Sequence, residues 1–396
     1  ISSTFAFAGF ADLGIGFAIV NVVSSAKGRN DWGKAHAWIS SGFFLLLLIS
    51  CILGAVLFFA YPHIDWPKVF NLQDPIAISE AGPSVLIFVI LTLISIPLTV
   101  VQRIQLGLQK NYVNSAWQAI GYILTLIGVL IAINAKAGLP LLVGVLSGIP
   151  LLSILFNWLL LAVGKWKFLL PGLRHVSVKI MKLILISGFL FFVRQLADTI
   201  GMQSDNLVIA HILGIEYVTL YSVNSKLFTI IPMILSFVFM PLWPAYGEAY
   251  SKGDNNWIEK VFSRSIGIGF LFSFPLACTF VLFGNNLLRE WVGPDISTPS
   301  ILLFAFGIWM IIKSTFVSPI YVYLNGINEI GFQAICATFM GVSNIILSIY
   351  LTKTFGISGV VWGSILSHIF CIVVPSFIYI MDKKTKLAFY TNNGDC

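Results

Sequence analysis

Apolar runs of about twenty residues or more recur along the chain, and each is long enough to cross a hydrocarbon layer about 30 Å thick as a helix. Eleven runs are read, near residues 4–24, 36–60, 84–107, 112–134, 138–162, 179–201, 217–242, 261–284, 300–324, 330–352 and 356–381. They are continuous blocks, as at 43–49 and 301–312, rather than the short alternating segments of a membrane barrel. A backbone in lipid must satisfy its own polar groups, so the predicted fold class is all-α, a polytopic membrane protein.

Composition agrees. Of 396 residues 58% are hydrophobic and 10% charged, and the mean hydropathy is +0.93, values that exclude a water-soluble chain. Of the five cysteines, Cys51, Cys278, Cys336 and Cys371 lie inside apolar runs and Cys396 is the last residue, so they read as small hydrophobes rather than a disulfide framework. The chain opens inside an apolar run with no initiator Met, basic flank or cleavage pattern, which reads as truncation and not as a signal peptide. There is no Gly-x-x-x-x-Gly-Lys-Ser/Thr loop, no metal-spaced His or Cys cluster, and no segment outside the runs much longer than about 20 residues. Neither ATP hydrolysis nor catalysis on a soluble domain is expected, and no cofactor or metal is called for.

The charges orient the spans. If the loop at 25–35 is cytoplasmic, alternation puts 16 of the 23 Lys and Arg residues on that side, among them Lys27, Arg29, Lys34, Arg103, Lys110, Lys165 and Lys167. The other side holds only Lys68, Lys136, Arg289 and Lys353. This is a positive-inside bias, and it places the C-terminus in the cytoplasm. The net charge of +7 is therefore mostly topological, scattered over short loops, and does not point to nucleic acid.

An internal repeat is visible. Lys27-Gly28-Arg29-Asn30-Asp31-Trp32 is echoed by Lys252-Gly253-Asp254-Asn255-Asn256-Trp257, and 106–147 is echoed by 325–366, with Gly107 matching Gly326 and Gly144 matching Gly363. The offset of about 220 residues spans six runs, an even number, so the halves share one orientation and form a parallel repeat. Two six-helix lobes are expected, 1–165 and 166–396, with the basic aromatic stretch 165–175 as their joint. The symmetry expects one helix before Ile1, and hence twelve in all.

A charged side chain in hydrocarbon costs on the order of 3 kcal/mol even on the gentlest scale, so those inside the runs need a cavity or a partner. Arg194, Lys226 and Lys313 are the cations; Asp12 and Asp198 are the acids, with Asp205 near a run end. Arg194, Asp198 and Asp205 share one helical face, either as a self-neutralising pair or as a polar stripe. Lys226, with Ser222 and Thr229, forms a stripe on the next helix, and three cations against two acids suit an anionic, phosphate-bearing ligand. Thr92, Ser95, Thr99 and Gln102 either line a hydrophilic path or glue helices together. Pro97 and Pro319 stand at nearly matching places in the repeat, as hinges for a rocking motion or as ordinary membrane-helix prolines. Trp32, Trp66, Trp166, Trp257 and Trp291 lie near run ends, as interfacial belts do.

Asp12-Leu13-Gly14-Ile15-Gly16 followed by Lys27-Gly28 resembles the second-helix signature of bacterial polysaccharide flippases of the multidrug/oligosaccharidyl-lipid/polysaccharide superfamily. In the second lobe, Gln203-Ser204-Asp205-Asn206-Leu207-Val208-Ile209-Ala210, then Leu213-Gly214, Tyr221, Lys226 and Leu227, is similar to the opening of such a lobe. The resemblance, to Wzx-type O-antigen flippases, covers essentially the whole chain. It implies twelve helices and the movement of an undecaprenyl-diphosphate-linked oligosaccharide from the cytoplasmic to the periplasmic leaflet of the bacterial inner membrane, for O-antigen or other surface polysaccharide. By this analogy Arg194, Lys226 and Lys313 contact diphosphate or sugar, and Asp12, Asp198 and Asp205 serve charge balance or coupling to H+ or Na+. Contact with polysaccharide polymerase machinery is a further expectation. Two other readings stay open: a multidrug cation antiporter of the same superfamily, in which acids would dominate, and a membrane polysaccharide polymerase, for which the loops at 61–80 and 285–299 are small.

Overall fold

The structure, a computed structural model, describes residues 14–294 and 296–382. Ten helical segments among them are long and apolar enough to span a membrane: Trp32–His63, Pro75–Gly107, Asn111–Asn134, Leu139–Val163, Val178–Ile212, Ile215–Lys252, Asn255–Val292, Ser300–Gly326, Ile330–Phe355 and Ser358–Asp382. Each coincides with one apolar run of the sequence, and no strand occurs among the described residues. The remaining run, 4–24, is described only from Gly14 on, as helix α1 (Ile15–Arg29). Asp12 lies outside the described residues.

Several helices outrun their apolar stretches. Val178–Ile212 continues for 35 residues, through Gln203, Ser204, Asp205 and Asn206. Hydropathy marks the hydrocarbon-facing part of a helix, whereas backbone hydrogen bonding carries on through polar residues that find partners in the bundle.

The chain forms two compact units, divided at Phe189 and Leu190. The first holds α1, α2 (Trp32–Ala60), α3 (Pro75–Leu98), α4 (Val100–Gly107), α5 (Asn111–Asn134) and α6 (Leu139–Val163). The opening turns of α7 (Val178–Ile212) belong to it as well. Its apolar core includes Ile19, Ile39, Leu46, Val100 and Ile104, and Ile184 of α7 joins them. The packing boundary thus falls inside α7, whereas the lobe boundary read at 165/166 comes from counting spans. A buried amide knot ties three of these helices. Asn157 Nδ2 donates to Asn114 Oδ1 at 2.9 Å and to Gln105 Oε1 at 3.2 Å, and Gln105 Nε2 donates back to Asn157 Oδ1. In lipid such interhelical bonds replace the hydrophobic drive that water would supply.

The second unit holds the rest of α7, α8 (Ile215–Phe239), α9 (Leu242–Lys252), α10 (Asn255–Val292), α11 (Ser300–Ile312), α12 (Ser318–Gly326), α13 (Ile330–Phe355) and α14 (Ser358–His368). Phe228, Ile231, Phe306 and Val360 lie at its core. Two π-helical segments interrupt it, Lys313–Val317 between α11 and α12 and Ile369–Val373 directly after α14. The tightest crossing joins α13 to α14. A Cβ on Gly363 would lie 2.6 Å from Ser348 Oγ and 2.8 Å from Ser348 N, and one on Gly359 would run into the Leu351 carbonyl. Gly359 and Gly363 form a Gly-x-x-x-Gly stripe of the kind that lets membrane helices touch backbone to backbone.

The repeat is visible locally in each unit, with a correction to its register. α1 ends on a left-handed Asn30 (φ 57°), after which the Asp31 carboxylate accepts from Lys34 N at 3.2 Å. α9 ends on a left-handed Gly253 (φ 76°), after which Asp254 accepts from Trp257 N at 3.1 Å. The structural equivalent of Gly253 is therefore Asn30, not Gly28, because Asn and Gly are the residues that tolerate the left-handed helix cap. Gly107 packs on Val20 and Val23 of α1 as Gly326 packs on Trp243 and Tyr246 of α9.

Candidate functional site

The buried charges of the second unit form two groups along α7. In the first, Arg194 Nη1 donates to Asp198 Oδ2 at 2.8 Å, as their i, i+4 spacing predicts. Tyr321, on α12, donates its hydroxyl to the other carboxylate oxygen at 3.1 Å, and the Arg194 guanidinium lies 5.0 Å from the Tyr321 ring centroid. Arg194 keeps a buried Nε without a hydrogen-bond partner. Lys313, first residue of the π segment, is within electrostatic reach of Asp198 and lies 5.7 Å from the Trp309 ring. Asp198 is thus shared between two cations.

The second group is centred on Asp205, which is 3% exposed. Its carboxylate accepts from Tyr221 on α8 at 2.8 Å, from Ser364 on α14 at 3.2 Å and from Ser348 on α13 at 3.4 Å. Among the described residues no cation pairs with it, so four helices converge on an acid held by hydroxyls alone. Asn344 Nδ2 donates to Ser364 Oγ at 2.8 Å and extends the relay. His368 makes a 2.8 Å hydrogen bond from Nδ1 to the Ser364 carbonyl, which can only accept, so the proton sits on Nδ1. Its ring is 4.3 Å from that of Trp309.

These residues wall a cavity of about 190 Å³, lined by Asp205, Lys226 and Lys313 together with Gln203, Asn206 and His368. Lys226 has neither a hydrogen bond nor an ion pair among the described residues. One π segment begins at the lining residue Lys313, and the other follows directly on the lining residue His368. An extra residue in a helical turn shifts the face that side chains present, and such bulges gather at functional sites.

The structure therefore brings Lys226, Lys313 and Asp205 to one cavity, and sets Arg194 and Asp198 in an adjoining pair that reaches it through Lys313. Sequence reasoning did not single out Tyr321, Ser348, Ser364 or His368, whose importance comes from contacts across helices. Pro97 lies in the last turn of α3, just before the break at Thr99 that separates α3 from α4. Pro319 is in the first turn of α12, just past the π segment. Thr92, Ser95 and Thr99 each donate to a carbonyl of their own helix, at 2.8, 2.7 and 2.7 Å. No cluster among the described residues could hold a metal ion.

The polysaccharide biosynthesis protein family matches residues 1–249 of this chain. A Salmonella typhi protein provisionally named an O-antigen transporter is 20% identical over 96% of this chain and 86% of its own length. The fold is shared with a MATE protein crystallised in its bent conformation, with a TM-score of 0.83, 16% identity, and 99% and 87% of the two chains covered. It is shared too with an outward-facing multidrug resistance MATE family transporter of the MOP superfamily, with a TM-score of 0.78, 19% identity, and 97% and 86% covered. The chain belongs to the polysaccharide biosynthesis protein family and is a multi-pass membrane protein with the fold of the MATE transporters.

Proposed function

We propose that this transporter carries an undecaprenyl-diphosphate-linked oligosaccharide from the cytoplasmic to the periplasmic leaflet of a bacterial inner membrane, for O-antigen or related surface polysaccharide. The observation that carries the reading is the charge balance of the cavity. Lys226 stands without a carboxylate partner and shares the lining with Lys313, while Asp205 is occupied by three hydroxyls. Two ammonium groups facing a polar cavity suit the oxygens of a diphosphate, and the amides of Gln203, Asn206 and Asn344 suit sugar hydroxyls. Arg194 and Lys313 share the single charge of Asp198, so the three cations outnumber the acid beside them.

Alternating access in a parallel-repeat transporter presents such a cavity to each leaflet in turn as the lobes, joined by the stretch 165–175, rock against one another. Pro97 and Pro319 would bend the helices that move. Asp12, Asp198 and Asp205 would balance charge or take up H+ or Na+ from the gradient that drives the cycle. The positive-inside count puts the C-terminus in the cytoplasm.

The antiporter reading keeps one observation in its favour, the cation-free carboxylate of Asp205 in the same cavity. The two separate on the lysines, which a cationic drug would not need.

In a flippase-null bacterium complemented with the intact gene, Arg194→Ala and Lys226→Ala are expected to cut surface polysaccharide about 10-fold or more. That corresponds to the loss of one charge-assisted contact of about 1.5 kcal/mol. Protein in the membrane should be unchanged by immunoblot. Normal polysaccharide in both variants would refute the cationic-cavity assignment.

A further inference from the structure

The first unit carries a second cationic feature, which the transport cycle leaves unused. Where α5 begins and α6 ends, a cavity of about 220 Å³ is lined by Lys110, Lys165, Trp166, Leu160 and Val163, with no acidic residue in its lining. Both ammonium groups point at one indole: Lys110 Nζ is 5.7 Å and Lys165 Nζ 5.6 Å from the Trp166 ring centroid. The indole is fixed by its neighbours, with Trp32 at 5.0 Å and Phe168 at 5.8 Å between centroids. Its own Nε1 is buried and has no hydrogen-bond partner.

Cation–π contact accounts for the lysines but leaves the indole N–H without an acceptor, a debt of about 1–3 kcal/mol for a buried donor. The Gln105 amide that also lines the cavity is taken up at both ends by Asn157, and the three other side-chain polar groups, Lys110 Nζ, Lys165 Nζ and Trp166 Nε1, are all donors. What satisfies them together is an oxygen-rich anion. The rim is of another kind: Val163 is 83% exposed and Leu160 47%, at the very end of a span. A donor trio at the headgroup level above an exposed aliphatic wall fits a phosphodiester with acyl chains attached, and a free phosphate would have no use for the wall.

We propose that this pocket is a binding site for an anionic phospholipid of the leaflet on the Lys- and Arg-rich side, with its phosphate between Lys110, Lys165 and the Trp166 N–H and its chains along Leu160 and Val163. The site lies wholly in the first unit and does not depend on what the second unit transports.

Native mass spectrometry of the full chain in detergent, titrated with dioleoylphosphatidylglycerol, tests this. Surface-level lysines contribute about 1 kcal/mol each toward anionic lipid. The first lipid is accordingly expected to bind about 10-fold or more weakly to the Lys110→Gln/Lys165→Gln variant, and more weakly to Trp166→Phe, which keeps the ring packing but loses the donor. Lys110→Arg/Lys165→Arg should bind as the wild type does, which separates loss of charge from loss of fold. Dioleoylphosphatidylcholine, whose choline offsets the phosphate charge, should bind the wild type and the Gln and Arg variants alike. Equal phosphatidylglycerol affinity in the Gln variant would overturn the site. A parallel loss of phosphatidylcholine would make the pocket a non-selective acyl contact and overturn it too. Displacement of phosphatidylglycerol by equimolar inorganic phosphate would overturn the lipid as its occupant.

Discussion

Replacing Gly363 with leucine is expected to abolish a stable second unit. A Cβ at this position already meets Ser348 Oγ at 2.6 Å and the Ser348 backbone nitrogen at 2.8 Å, and backbone cannot step aside as a flexible side chain would. α13 and α14 must separate, and with them go the Asn344–Ser364 hydrogen bond and the Ser348 and Ser364 contacts to Asp205. Overpacking costs about 1–3 kcal/mol, and each interhelical hydrogen bond in a membrane about 0.6 kcal/mol. The loss is thus about 3 kcal/mol or more, enough to remove the monodisperse peak in detergent size-exclusion chromatography and to lower the thermal transition. Gly267→Leu is the control, since a Cβ there meets nothing within 4 Å. Equal behaviour of the two variants would contradict the close crossing.

Asp205 should separate stability from transport. Asp205→Leu leaves the Tyr221 and Ser364 hydroxyls without that acceptor, and Ser348 with only the Val360 carbonyl at 3.4 Å, at the meeting point of four helices, and is expected to lose both fold and activity. Asp205→Asn keeps a carbonyl oxygen for Tyr221 and Ser364 and removes only the charge, so its thermal transition should stay near that of the wild type. If the carboxylate balances the lysines or takes up a coupling cation, transport by the Asn variant falls about 10-fold or more, since it then lacks about 1.4 kcal/mol or more of electrostatic coupling. A stable Asn variant with full transport would reduce Asp205 to a packing hub.

The contrast between these residues marks what the sequence could reveal. Spans were legible because lipid demands apolar side chains all round a helix, and the Arg194–Asp198 pair because i, i+4 neighbours meet on any helix. Asp205 drew notice as a charge near a run end, but its partners Ser348 and Ser364 stand 143 and 159 residues away, and no periodicity links them. His368 looked like any lone histidine in an apolar run. The π turns at Lys313 and after His368 leave no compositional trace. The repeat was found from a hexapeptide echo, but its register was read two positions off, because Asn30 does the work in α1 that Gly253 does in α9.

Leaflet-to-leaflet transfer measured in proteoliposomes with the intact protein tests the central claim most directly. Fluorescently tagged undecaprenyl-diphosphate oligosaccharide would be placed in one leaflet and its arrival in the other followed by quenching. Transfer should exceed that in protein-free vesicles by about 10-fold or more, and should fall to the protein-free rate when Lys226 and Lys313 are both replaced by alanine, the loss of two charge-assisted contacts. Protein-free rates with the wild type, or export of a cationic dye that survives the double replacement, would contradict a cationic cavity built for a lipid-linked diphosphate.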